Sequence, residues 1–165
     1  GINWLAYGFE SPSPEVRGSK HYKNTEMHKT ITMTQEAGIN IMGNFIFGLP
    51  KDTLETMEST LQTAMFYNFE FVNFYCGIAY PGSQWFEEQE IKLLDWEAYS
   101  QYSPKFRPTG NKNLKPEDIV KFRDEAFLRY FSRPEYLDMI KSKFGDKAVA
   151  HIKEMLTWGV RNGVR

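Results

Sequence analysis

Three loops in this chain combine residue types that hold ligands. Gly8-Phe9-Glu10-Ser11 sets a carboxylate and a hydroxyl at the end of a short apolar run. A carboxylate there can accept hydrogen bonds from an ammonium group or a ribose hydroxyl. Gly48-Leu49-Pro50 closes a second apolar run, Ile41 to Phe47. Gly48 permits a positive φ or a close approach of backbone to a ligand, and Pro50 stops the run from continuing as a central strand. Tyr80-Pro81-Gly82-Ser83 closes a third. Asn44 and Asn73 interrupt the second and third runs, and an amide in such a setting needs a partner. Each feature alone has a plainer reading: Glu10 as a cap or surface acid, the amides as satisfied core groups. Three special loops on one rim favour a shared ligand site.

Other reactive residue types carry less. Cys76, the single cysteine, lies beside Phe74 and Tyr75 and reads as a small core residue, with no neighbouring base to favour a thiolate. His21, His28 and His151 show no metal-ligand spacing. Lys20 and Lys23 could face an acidic ligand, although surface lysines are commonly just solvated. No residue is identified as a general acid or base, and no metal ligand is predicted.

The elements that position these loops follow from periodicity. Trp4 to Phe9, Ile41 to Phe47 and Phe71 to Ala79 read as strands, the second buried on both faces. Each leads into a helical pattern: a turn over Glu15 to Lys20 and a helix from Thr25 to Ala37 with Asn24 as N-cap, then Thr53 to Tyr67, then Ser83 to about Leu93. Gly38 suits the C-terminal stop of the helix ending at Ala37. Asp52 and Glu55 have the spacing of a capping box. Three strand–loop–helix units predict an α/β fold with a parallel sheet, whose two edges favour self-association. From Asp95 an aromatic, proline-bearing connection runs to Asn113. Helices are then predicted for Pro116 to Ser132, for Pro134 to the break at Gly145, and for a last segment ending before Gly159. The expected organisation is 1–94 for the α/β unit and 95–165 for a linker and helical extension.

Composition sets the outer bounds. The chain has 165 residues, 41% of them hydrophobic and 25% charged, which suits one domain with a real core. A net charge of −1 gives no electrostatic case for nucleic acid or an anionic membrane. No run is long enough to span a bilayer. One cysteine excludes an internal disulfide framework and makes the reducing cytoplasm the expected location. Opening on Gly1-Ile2-Asn3, almost directly in a strand, the chain reads as a piece of a longer protein.

Taken in order, Gly8-Phe9-Glu10-Ser11, Glu36-Ala37-Gly38-Ile39, Phe45-Ile46-Phe47-Gly48-Leu49-Pro50 with Asp52-Thr53, and Tyr80-Pro81-Gly82-Ser83 resemble the motifs of radical S-adenosylmethionine enzymes. The nearer resemblance is to the C-terminal half of the catalytic domain in the cobalamin-binding class, which includes magnesium-protoporphyrin monomethyl ester oxidative cyclase-like proteins. Phe122-Arg123-Asp124-Glu125-Ala126-Phe127 and Arg133-Pro134-Glu135-Tyr136-Leu137 resemble the helical segment that follows there.

The resemblance implies a partial (β/α) barrel of the TIM type, with this chain supplying its fourth to sixth strands, followed by the helical extension. It implies that Glu10 and Ser11 contact the methionine moiety or ribose of S-adenosylmethionine. Ile46 and Gly48 would contact the adenine through their backbone, with Tyr80 and Pro81 close to it and Asn44 lining the lumen. It implies a [4Fe–4S] cluster, and for the class cobalamin, with ligands outside this chain. The partners are then the missing N-terminal half and a small-molecule substrate, and the isolated piece is expected to be inactive. Lys51 and Pro12 stand where the family commonly has glycine. The alternatives are a non-catalytic α/β domain binding a nucleotide-like ligand and a self-associating half-barrel.

Overall fold

The computed structural model describes residues 1–18, 23–89, 92 and 94–161. Three strands, β1 (Trp4–Glu10), β2 (Asn40–Phe47) and β3 (Phe71–Cys76), form one open parallel sheet in the order β1-β2-β3. Between β1 and β2 come α1 (Pro14–Arg17) and α2 (Asn24–Glu36), and α3 (Leu54–Tyr67) joins β2 to β3. A short α4 (Gln84–Glu88) follows, then a 3₁₀ turn at Trp96–Tyr99, then α5 (Pro116–Phe131), α6 (Pro134–Phe144) and α7 (Asp146–Arg161). The α/β expectation holds, and three parallel strands with helices are what a segment of a (β/α) barrel supplies. Lys20, His21 and the Leu93 end of the predicted fourth helix lie outside the described residues.

The sheet has two unlike faces. Along β2 burial alternates strictly: Ile41, Gly43, Phe45 and Phe47 are buried, whereas Asn40, Met42, Asn44 and Ile46 are only half-buried. The expectation that this run is buried on both faces is therefore corrected. Its buried face packs against Met27 and Ile31 of α2, Met57, Leu61 and Ala64 of α3, and Ile119 and Tyr130 of α5. No element covers the other face among the described residues, so it presents polar and medium-sized side chains.

Several boundaries differ from the sequence reading for local reasons. Lys23, not Asn24, is the N-cap of α2, and its backbone N–H donates to Glu26 Oε2 at 2.9 Å. The capping box of α3 belongs to Thr53 and Thr56, not to Asp52 and Glu55: Thr53 N–H donates to Thr56 Oγ1 at 2.8 Å, and Thr56 N–H to Thr53 Oγ1 at 3.2 Å. β3 stops at Cys76, because beyond it Gly77 and Ala79 bond to Thr109. α7 runs through Gly159 to Arg161.

The C-terminal helices clamp the turn that launches β3. Tyr130 Oη donates to Phe69 O at 2.7 Å and Tyr136 Oη to Glu70 O at 3.1 Å. Arg133 lies over the Tyr130 ring and donates to Met65 O and Asn68 Oδ1. The Glu70 carboxylate, 3% exposed, accepts from Ile41 N–H at 2.7 Å and from the Lys143 ammonium. A bidentate pair between Arg129 and Glu58 links α5 to α3 and holds the Glu58 carboxyl down at about 2. These helices thus share one core with the sheet. No helix among the described residues is long and apolar enough to cross a membrane.

Candidate functional site

Parallel register brings the three loops to one rim. Gly8 pairs with Asn44 and Asn44 with Asn73, so the strands reach their C-terminal ends together. At this rim β1 is irregular: its register shifts between Gly8 and Glu10. Glu10 takes φ 59°, the left-handed region, one of two non-glycine residues to do so among those described. Left-handed backbone costs an ordinary side chain roughly 1–2 kcal/mol, and such strain concentrates at functional sites.

Ser11 turns away from the open face. It is fully buried, its Oγ lies 3.1 Å from Thr60 Oγ1, and it accepts from Ser13 N–H at 3.2 Å. Arg17, buried, donates from Nη1 to Ser11 O, Pro12 O and Asn24 Oδ1. This arginine holds the loop behind Glu10.

The Gly48-Leu49-Pro50 loop is tied throughout by its own chain. Asp52 Oδ2 accepts from Gly48 N–H at 2.9 Å and Leu49 N–H at 3.1 Å, and Oδ1 accepts from Thr56 Oγ1 at 2.6 Å. Burial pushes the Asp52 carboxyl up, against the pull of these three hydrogen bonds. Asn111 Nδ2 donates to Leu49 O and Asp52 O, and Asn113 Nδ2 to Asp52 O. Gly48 has φ +79°, and a Cβ on it would lie 2.5 Å from Ile119 Cδ1. The close approach that requires glycine here is that of helix α5. A Cβ on Gly77 would lie 2.7 Å from Gly48 O, so the second and third loops touch.

Asn44 and Ile46 lie on the open, half-buried face. Asn44 Nδ2 donates to Tyr7 O at 3.2 Å, and Asn73 Nδ2 donates to Asn44 Oδ1 at 2.9 Å, a row of amides across the three strands. Tyr80, half-exposed, stands over Tyr99 with its hydroxyl 3.4 Å from Tyr99 O, and Pro81 is half-buried beside it. Glu10, Ile46 and Tyr80 thus lie at the rim or open face, Asn44 lies on that face with its amide held between Tyr7 O and Asn73, and Ser11 Oγ and Gly48 N–H are bonded inward.

Sequence reasoning missed Arg17, Asn111 and Asn113. The two asparagines left no local signal, because Asn111 acts 62 residues away from Leu49, whereas the partners of Arg17 lie within seven residues of it. Asp52 was visible four residues after Gly48, but the loop it closes was not.

Cys76 is buried as expected, and burial pushes its thiol up to about 12. The unfolded chain releases that proton near 8.5. The stabilisation is therefore complete below that pH and is lost as pH rises towards 12. Urea midpoints should fall between pH 8.5 and 11, and Cys76→Ala should flatten the decline. Tyr130 and Tyr136, also raised by burial, add their own losses above about pH 10. An equally steep profile in Cys76→Ala would contradict the assignment.

The comparisons add the relatives. A Chlorobaculum tepidum bacteriochlorophyllide d C-12(1)-methyltransferase is 29% identical over 137 residues, which is 77% of this chain and 29% of the relative. The anaerobic magnesium-protoporphyrin IX monomethyl ester cyclase of Rubrivivax gelatinosus is 28% identical over 110 residues, 62% of this chain and 20% of the relative. The chain is thus similar to curated methyltransferases and to a cyclase. An uncharacterized methyltransferase of Pyrococcus horikoshii is 25% identical over 83% of this chain and 30% of its own. Among solved structures, the radical S-adenosylmethionine methyltransferase TsrM from Kitasatospora setae, determined with cobalamin and a [4Fe–4S] cluster bound, aligns at 21% identity. It covers 70% of this chain and 23% of its own, with a TM-score of 0.48. No family model matches the chain. The chain spans less than a third of the length of these relatives.

Proposed function

We propose that this chain is the C-terminal part of the catalytic domain of a radical S-adenosylmethionine enzyme, and that its rim forms half of the S-adenosylmethionine site. The observation that carries the reading is Glu10: a carboxylate held in a strained left-handed conformation at the end of β1, on the rim of an amide-bearing open face. On this reading Glu10 accepts hydrogen bonds from the ammonium or ribose of the cosubstrate, and Asn44 and Ile46 line the space beside it. Tyr80 and Pro81 border the adenine end. Gly48 shapes its loop, and Ser11 sets the strand end from which Glu10 projects. The tied loops make the half-site rigid before ligand arrives, which lowers the cost of binding.

The cosubstrate supplies a methyl group or, when reductively cleaved, a 5′-deoxyadenosyl radical. The residues here do not fit an iron–sulfur cluster: Cys76 is the single cysteine and is buried, and no group of three potential ligands occurs among the described residues. Cluster and cobalamin ligands would belong to the rest of the parent, so the isolated chain is expected to be inactive. The substrates named for two relatives are tetrapyrroles. Methylation or oxidative cyclisation of such a planar macrocycle is the reaction class we favour, in the cytoplasm.

The test is calorimetric titration of S-adenosylmethionine into the full-length, cluster-reconstituted parent and its Glu10→Ala variant. Loss of a charge-assisted hydrogen bond should weaken binding by about tenfold or more. Equal affinity would remove Glu10 from the site. No binding to the unaltered parent would overturn the radical-enzyme reading.

A further inference from the structure

The turn that presents Glu10 is bent against the preference of its backbone. Ser11 N–H donates to Phe9 O at 2.7 Å across Glu10, whose φ is 59°. A bond between residues two apart around a positive φ makes a γ-turn of the rare, strained kind. The chain just after it is pinned. Pro12 restricts Ser11 to extended backbone, and the next two carbonyls, Ser11 O and Pro12 O, each accept from Arg17 Nη1 at 3.0 Å. The same nitrogen donates to Asn24 Oδ1 at 2.8 Å, at the start of α2. Arg17 is 6% exposed, and these three acceptors are neutral oxygens. Taking a guanidinium out of water is costly, and bonds from a charged donor are the stronger kind. The neighbouring Gly48-Leu49-Pro50 loop is closed more simply, by the neutral amides of Asn111 and Asn113 on Leu49 O and Asp52 O. A charged donor is spent at the turn whose central residue is strained and is not glycine.

We propose that Arg17 is the positioning residue of Glu10. By holding the Ser11 and Pro12 carbonyls it keeps the γ-turn from relaxing to extended backbone, and so keeps the Glu10 carboxylate at the rim. That role rests on the reading of Glu10 as a ligand of S-adenosylmethionine. Without the guanidinium, residue 10 gives up its positive φ, the register shift between Gly8 and Glu10 is no longer enforced, and the side chain swings off its present direction. Arg17 itself does not touch the cosubstrate, because it lies buried behind the loop.

Two measurements on the full-length, cluster-reconstituted parent test this. The first needs no ligand: hydrogen exchange of the Ser11 amide, the donor of the turn. It should quicken by about tenfold or more in Arg17→Met. The Ile41 and Gly77 amides, bonded to Glu70 Oε2 and Phe47 O, should keep their rates and report that the sheet is intact. An unchanged Ser11 rate in folded Arg17→Met overturns the proposal. The second is S-adenosylmethionine affinity in Arg17→Met, Glu10→Ala and the double variant. Arg17→Met should weaken binding by about tenfold, and in the Glu10→Ala background it should cost nothing more. An equal loss in both backgrounds would make Arg17 a prop independent of Glu10 and overturns the proposal. So does unweakened binding by Arg17→Met where Glu10→Ala binds weakly. Where Arg17→Met does not fold, Arg17→Lys, which keeps the charge without the planar fork, is read in the same way. A quickened Ser11 amide together with full affinity in Glu10→Ala has a separate meaning: Arg17 holds the turn, and the reading of Glu10 as a ligand contact is what fails.

Discussion

Tyr130→Ala lowers the unfolding free energy by about 3–5 kcal/mol, the range for removing a large buried aromatic side chain. The residue is fully buried and its ring meets Phe74, Phe131 and Tyr136 at centroid distances of 6.0, 5.1 and 5.2 Å. Its hydroxyl holds Phe69 O at the turn before β3. Tyr130→Phe separates the two contributions. It keeps the ring and removes the hydrogen bond, at about 1 kcal/mol plus the cost of an unsatisfied buried carbonyl. Urea unfolding of the three proteins measures both. A cost below about 1 kcal/mol for the alanine variant would mean that α5 does not dock as described.

The second large effect is at Gly48. Alanine there meets Ile119 Cδ1 at 2.5 Å, Cγ2 at 2.8 Å and Cγ1 at 3.0 Å, on a backbone at φ +79°. Left-handed strain of roughly 1–2 kcal/mol adds to about 1–3 kcal/mol of overpacking, so the loss should reach about 2–5 kcal/mol. A double-mutant cycle identifies the cause. Ile119→Ala destabilises by itself through its cavity, but it removes all three clashing atoms. In that background Gly48→Ala should cost only the strain, and the two substitutions should couple by 1 kcal/mol or more. Equal cost in both backgrounds would show that Ile119 is not the obstacle. On the proposed reading of the rim, the same variant should also weaken S-adenosylmethionine binding in the parent.

The rhythm of the fold was legible in the sequence because it is local. The apolar run of β2, the helical stripe of α3 and the stop at Gly38 each depend on residues a few positions apart. Even so, one face of β2 was read as buried when only Ile41, Gly43, Phe45 and Phe47 are. An apolar run cannot say whether a second layer is present. The candidate site was legible in outline, since three strand ends with special loops imply a shared rim in a parallel sheet. Its wiring was not. Gly48 announces a constraint, but the group that imposes it, Ile119, lies in helix α5, five elements further on. Asp52 looked like a helix cap because its spacing to Glu55 allowed it, and the competing Thr53–Thr56 box won. Ser11 looked like a ligand contact, yet its hydroxyl meets Thr60. Long-range partners of this kind leave no periodic trace.

The row of amides across the sheet has a fixed direction. Tyr7 O can only accept, so Asn44 must turn its NH₂ group towards β1 and its oxygen towards β3. Asn73 must then donate to that oxygen, which directs its own carbonyl away from the row. One main-chain oxygen at one end therefore decides which atom is presented at the other, two strands away. Each bond polarises the next, and the dipoles add in one sense. Whatever meets Asn73 from the β3 side meets a hydrogen-bond acceptor made more negative than an isolated amide. Asn44→Asp, though nearly the same shape, would set a negative charge against Tyr7 O and break that sense at its middle.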